Sequence, residues 1–309
     1  MVPAALAIVY VVWGSTYLAI RVMVETMPPL LAAGLRFGLA GAIFLLVLRL
    51  RGGPGKLRAS RSELLGAALI GNLLCFGGNG LVTVAERDVP SGLAALIIGS
   101  VPLWVVVMRS AHGDRVPRRT LAGVLVGFAG LAVLVLPGDR PGDAPLGWVL
   151  LIVGASISWA AGSFYSRRTP LPREALVSTG WQMLFGGFGM VLVGTLTGEW
   201  ANLRPDRFSG DSLLAFGYLI VFGSLLAFTA YTWLLKSAPI STVATYAFVN
   251  PVIAIFLGWA ILNEEITPAV TAGAAAIVLS VAAVVRHESS PKREELEYAA
   301  PVRRSNKGD

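Results

Sequence analysis

The run Pro90-Ser91-Gly92-Leu93-Ala94-Ala95-Leu96-Ile97-Ile98-Gly99-Ser100-Val101-Pro102 continues to Met108 without a charged side chain. An apolar run near twenty residues crosses a hydrocarbon layer of about 30 Å as a helix. A second run, Pro239-Ile240-Ser241-Thr242-Val243-Ala244-Thr245-Tyr246-Ala247-Phe248-Val249-Asn250-Pro251, is bracketed by prolines at the same spacing. Blocks of this kind fill nearly the whole chain. Of its 309 residues, 55% are hydrophobic and only 14% charged, and the mean hydropathy is +0.70. A soluble domain carries about 25% charge. A soluble core would have to bury every block on all sides, and so many in succession leave too little polar surface.

Ten blocks are expected, at about 2–20, 30–48, 64–83, 90–108, 121–136, 146–165, 175–196, 213–235, 240–262 and 269–285. Strands of a membrane barrel would be shorter and would alternate. The expected class is therefore an all-α integral membrane protein. Lys and Arg set its orientation. They crowd the connections after the second, fourth, sixth and eighth blocks and the tail: Arg49, Arg51, Lys56, Arg58 and Arg61; Arg109, Arg115, Arg118 and Arg119; Arg167, Arg168 and Arg173; Lys236; then Arg286 onward. The other connections carry only Arg21, Arg87, Arg140, Arg204 and Arg207. This bias places both termini in the cytoplasm, which needs an even number of spans. The net charge of +7 thus reads as membrane orientation and not as nucleic-acid binding. The first apolar stretch lacks a basic leader and a small-residue cleavage site, so no cleavable signal is expected. Cys75, the single cysteine, has no intrachain partner.

The chain repeats itself. Pro90 and Pro102 match Pro239 and Pro251, each opening proline follows a base (Arg87, Lys236), and Trp13-Gly14-Ser15 finds an echo in Trp159-Ala160-Ala161. Five blocks per copy is odd, so the second copy enters the membrane from the opposite side. Inverted halves of this sort recur in secondary transporters, where they exchange conformations to open alternately to each side. The expected halves are 1–137 and 138–286, followed by a polar, disordered cytoplasmic tail at 287–309.

Val12-Trp13-Gly14-Ser15-Thr16-Tyr17-Leu18-Ala19-Ile20-Arg21, then Pro28-Pro29 and Leu35-Arg36-Phe37, resemble the EamA-type ten-span members of the drug/metabolite transporter superfamily. Pro251-Val252-Ile253-Ala254 leading to Asn263-Glu264-Glu265 resembles the signature of the second half. The likeness covers about residues 5–286. It departs at Asp114, where a Gly-Glu pair is common, and at Trp159-Ala160-Ala161-Gly162 in place of Trp-Gly-Ser. It implies an inner-membrane carrier, in many members an exporter of amino acids or other small metabolites. It also implies a central cavity lined by the first four helices of each half, with the fifth and tenth at the periphery.

Polar residues inside the blocks are the candidate site, because they face a cavity or a partner and not lipid. Arg36 either binds a substrate carboxylate or holds an outer gate, or else it snorkels outward or pairs with Glu86 or Glu25. Gln182, its counterpart by the tryptophan match, is a cavity donor or helix–helix glue. Trp13 and Tyr17 share a helix face and, with Trp159, either stack on an apolar or aromatic substrate or pack against neighbouring helices. Asn72 and Asn79, seven apart, are expected on one cavity-facing stripe that Thr83 and Glu86 extend. Tyr231, Tyr246 and Asn250 are further candidates. Pro102 and Pro251 each free a backbone carbonyl and serve as hinges or as static kinks. Glycines such as Gly186, Gly187 and Gly189 permit close packing.

No catalytic constellation, metal cluster or phosphate-binding glycine loop is legible, so neither an enzyme nor a cofactor is expected. All carboxylates fall near block ends, which favours a facilitator or exchanger without excluding proton coupling. The expected function is secondary transport of small organic metabolites by alternating access, amino acids first, with export favoured. The alternatives are a broad drug or cation exporter, an uptake facilitator and, least, a non-transport sensor or enzyme. The expected partners are a small-molecule substrate and membrane lipids, with monomer and dimer both open.

Overall fold

The computed structural model describes residues 1–114, 116–135, 144–238, 243 and 245–288. No strand occurs among them. The helices are α1 (Val2–Val24), α2 (Pro29–Gly52), α3 (Arg61–Ala85), α4 (Ser91–Ala111), α5 (Arg118–Val135), α6 (Leu146–Ser166), α7 (Ala175–Leu196), α8 (210–237), α9 (Tyr246–Leu262) and α10 (Pro268–Glu288). Seven of them are long and apolar enough to cross a membrane, and α5, α9 and α10 hold shorter apolar stretches. The expected boundary between halves and nearly all of the expected tail lie outside the described residues, as do Pro239 and, within the ninth block, 240–242 and 244.

Helix ends follow local chemistry. Ser60 and Glu63 form a reciprocal capping box at the start of α3, satisfying two otherwise orphaned N–H groups. Pro29 opens α2, where a missing N–H has no consequence. Asn263, left-handed at φ 55°, ends α9.

The fourth block departs from expectation. Gly99-Ser100 form a turn that splits α4 into Ser91–Ile98 and Val101–Ala111. Pro102 stands in the first turn of the second piece, so it opens a new helical segment and does not kink a continuous one. Pro251 does lie inside its helix. Two further departures concern α3 and α8, which widen into π-helical backbone at Asn72–Gly80 and Leu219–Leu226.

Close approach of backbones organises the bundle. A Cβ on Gly187 would stand 2.7 Å from the carbonyl oxygen of Gly34 and from the nitrogen of Gly38. α2 and α7 therefore touch backbone to backbone, the small-residue packing that joins helices in lipid. α5 and α10 form another pair, where Ser280 Oγ donates to the carbonyl of Gly123. The largest apolar cluster joins the end of α3 to α4, α5, α6 and α10.

One end of the bundle is closed by polar caps. The Glu199 carboxylate accepts from the N–H groups of Leu30 (3.1 Å) and Leu31 (2.9 Å) at the start of α2. The Glu264 carboxylate accepts from Ser91 (2.7 Å) and Gly92 (3.0 Å) at the start of α4. In each case an acid beyond the end of one helix neutralises the exposed donors and dipole of another. The Arg21 guanidinium donates to the carbonyls of Glu86 and Arg87 at the end of α3. The opposite, basic end carries Arg49, Arg51, Lys56, Arg58, Arg61, Arg109, Arg118, Arg167, Arg168 and Arg173 among the described residues.

Candidate functional site

A central cavity of about 90 Å³ lies among α1, α2, α3, α4, α6, α8 and α9. A single water needs roughly 10–15 Å³ by this measure, so the space holds several waters or the head of a small organic molecule. α5, α7 and α10 contribute no described lining residue. Towards the capped end the wall is sealed: Ser91–Ile97 of α4 are all buried. A Cβ on Gly92 would stand 3.2 Å from Ile255 Cα, which shows how closely α4 meets α9 there.

Arg36 gives the cavity its charge. Its residue is only 2% exposed, yet it lines the cavity. Its Nε donates to Ser224 Oγ at 3.0 Å, and its guanidinium lies 4.6 Å from the Phe37 ring centroid. Ser224 belongs to the widened part of α8. The neighbouring Gly223 leaves room for the guanidinium, since a Cβ there would meet Arg36 Nη2 at 3.2 Å. Nη1 is buried without a hydrogen-bond partner among the described residues. A buried cation with a free donor edge is costly and favours an anion that presents oxygen to it. Arg36 neither snorkels outward nor forms an ion pair with Glu86 or Glu25 among the described residues.

An aromatic group forms another part of the wall. Trp13 packs on Tyr231 (5.0 Å between centroids), Phe228 (5.2 Å) and Tyr246 (5.3 Å), and its indole N–H donates to the Gly223 carbonyl at 3.3 Å. Tyr231 supports this group from behind the wall, which Trp13, Phe228 and Tyr246 form with Tyr17 and Trp159. The Trp159 ring lies over Gly78 of α3. Asn79, Asn250, Pro102 and Pro251 also line the cavity. Oriented by its neighbours, the Asn250 amide donates to the carbonyls of Tyr246 and Tyr10, both at 3.3 Å.

Of the other expected residues, Thr83 and Glu86 do not line the cavity, and Asn72 and Gln182 lie elsewhere. Asn72 donates to the Ala68 carbonyl at 2.8 Å and faces Gly189 of α7, where a Cβ would approach its Oδ1 to 2.1 Å. Gln182 donates to Ser178 Oγ at 2.8 Å on its own helix. The stripe joining Asn72 to Asn79 breaks for a geometric reason. Residues seven apart share a face in an α-helix, but π-helical turns take up extra residues and rotate the two ends of the segment apart. The widened backbone also frees carbonyls that neighbours use: Ser158 donates to Leu73 at 2.8 Å, and Trp13 to Gly223. Sequence reading missed Ser224 and Gly223, which hold Arg36. Neither has a sequence signal, because an α8 serine beside a glycine is ordinary membrane-helix composition.

Membrane-length helices packed around a partly polar cavity are the architecture of a membrane transporter. The chain belongs to the EamA-like transporter family, whose model matches residues 2–136 and 146–286. It is 40% identical over 264 residues to the "Uncharacterized inner membrane transporter YedA" of Escherichia coli K12, covering 85% of this chain and 83% of that protein. It is 28% identical to the "Uncharacterized transporter YvbV" of Bacillus subtilis, over 90% of each chain. It is 26% identical to the "Probable amino-acid metabolite efflux pump" of Salmonella typhimurium, over 88% of this chain and 90% of that one. A solved crystal structure of a protein 22% identical superposes with a TM-score of 0.63, over 93% of this chain and 98% of the other, and so shares the fold.

Proposed function

We propose that the chain crosses the inner membrane ten times, as inverted halves 1–137 and 138–286 with both termini in the cytoplasm. In this reading it carries small carboxylate-bearing metabolites, amino acids foremost, outward by alternating access. The observation that carries the substrate class is the unpartnered Nη1 of Arg36, buried on the cavity wall while Nε is anchored to Ser224. A substrate carboxylate supplies the missing acceptor, and Trp13, Tyr17, Trp159 and Tyr246 hold the apolar remainder. A cationic substrate is repelled by the same guanidinium.

Matched features of the two halves support the repeat. The offset that relates Trp13 to Trp159 carries Leu73–Gly80 onto Leu219–Leu226, the two widened segments. It also carries Thr83 onto Thr229, and each of these hydroxyls donates to the carbonyl four residues earlier. α1 packs through Trp13 on the widened part of α8, and α6 packs through Ser158 and Trp159 on that of α3. Inverted halves need such an exchangeable pair of contacts. The caps at Leu30 and Ser91 then close the outer side in this conformation, and Pro102 and Pro251 are the hinges about which α4 and α9 move. Export is favoured by the family likeness and by the named activity of the Salmonella relative.

Counterflow in proteoliposomes tests the reading. Unlabelled amino acid inside is expected to drive uptake of labelled amino acid, with Arg36→Ala lowering the rate at least tenfold and Arg36→Lys restoring only part of it, since an ammonium lacks the planar fork. No exchange by the folded wild type with any amino acid would abandon this substrate class.

A further inference from the structure

Glu86 closes α3 at the capped end and is fully buried. Both of its carboxylate oxygens lack a hydrogen-bond partner among the described residues. Burying a charged carboxylate without a donor is far costlier than burying the neutral acid. Two guanidiniums stand near enough to act on it electrostatically, Arg21 and Arg36, yet neither pairs with it. Arg21 directs its donors to the backbone carbonyls of Glu86 and Arg87, and Arg36 is fixed to Ser224.

The remaining surroundings oppose a negative charge. Glu264, held on the N–H groups of Ser91 and Gly92, is the other acid that acts on Glu86. α1 also contributes Tyr17, whose hydroxyl is close enough to feel Glu86. α6 has no charged side chain, and its one titratable residue, Tyr165, lies at the basic end. The facing piece of α4, Ser91–Ile98, has none. Next along the chain, Arg87 and Asp88 are exposed. Tyr17 lines the cavity, as does Val82 one turn before Glu86, so the carboxyl lies one helical turn from a residue of the cavity wall.

We propose that Glu86 is a proton-binding site of the transport cycle, taking up a proton from the cavity as a substrate carboxylate is seated on Arg36 and releasing it when the substrate leaves. The inference rests on the reading of Arg36 as the carboxylate site. An ionised Glu86 would share the field of Arg36 with the substrate anion. Two anions beside one guanidinium are relieved by protonating one of them, so the binding of proton and carboxylate is linked with positive sign. The proton then crosses in the same direction as the substrate. Export therefore runs when internal substrate is high and is opposed by an inward proton gradient.

The test is infrared difference spectroscopy of the full-length protein in lipid bilayers between pH 5 and pH 9. Wild type, Glu86→Gln, Glu86→Asp and Arg36→Gln are compared. The expected result is a protonated-carboxyl band that titrates in the wild type, is missing in Glu86→Gln and is displaced in frequency in Glu86→Asp. In Arg36→Gln its midpoint should move to higher pH, because losing a nearby cation favours the neutral acid. No band lost on Glu86→Gln, or an unmoved midpoint in Arg36→Gln, overturns the proposal. Where the titration behaves as expected but no amino acid exchanges, the amino-acid reading falls and the linked proton site stands.

Discussion

Arg36 and Glu264 show how single polar groups are treated in this bundle. Arg36 is fixed at one nitrogen and left open at another, an arrangement a purely structural arginine would not need. Glu264 does the reverse: each of its oxygens receives one backbone N–H at the start of α4. Its work is to satisfy donors that Pro90 and the helix start leave unpaired. Glu264→Gln removes the charge and replaces one acceptor oxygen by a donor. A loss of about 1 kcal/mol, the usual size of a helix-cap contribution, is expected as a lower midpoint of thermal unfolding in detergent. An unchanged midpoint would mean that water caps α4 equally well.

At the scale of elements, glycine placement decides which helices touch. Gly187 has the α2 backbone within 2.7 Å of where its Cβ would stand, whereas Gly154 of α6 has nothing within 4 Å. Gly187→Ala should therefore destabilise the protein by about 1–3 kcal/mol through overpacking, and Gly154→Ala should be neutral or slightly stabilising. Paired unfolding curves check this, and equal effects would discard the close α2–α7 contact. The widened segments of α3 and α8 belong to the same scale. They turn Asn79 into the cavity and Asn72 out of it, and they place Gly223 and Ser224 beside Arg36. No helical wheel drawn from the sequence predicts that rotation, because hydrophobic periodicity assumes one number of residues per turn.

For the whole molecule, the caps and the Gly92–Ile255 contact seal one side of the cavity. If the closed side must open during transport, locking it should stop the cycle without unfolding the protein. Gly92→Cys with Ile255→Cys, oxidised in the membrane, is expected to abolish counterflow, and reduction should restore it. Cys75 is buried and does not compete. Full transport by the cross-linked protein would rule out separation of α4 from α9 at the capped end.

Composition, block length and the spacing of Pro90, Pro102, Pro239 and Pro251 were enough to identify a helical membrane protein and, with the tryptophan motifs, its family. These features are legible because lipid demands long apolar helices whatever their packing. The candidate residues Trp13, Tyr17, Arg36, Asn79, Trp159, Tyr246 and Asn250 were also legible, since polar and aromatic groups deep in apolar runs are few. Only the tertiary structure decided which of them meet. It sent Asn72 and Gln182 to the α3–α7 contact, set Ser224 against Arg36, and buried the Glu86 carboxylate without a hydrogen-bond partner among the described residues, where the sequence reading has it extend the cavity-facing stripe or pair with Arg36. Burial and hydrogen-bond partnership depend on which helix lies opposite, and in a chain where nearly every helix is apolar the pattern of hydrophobicity carries no record of that choice.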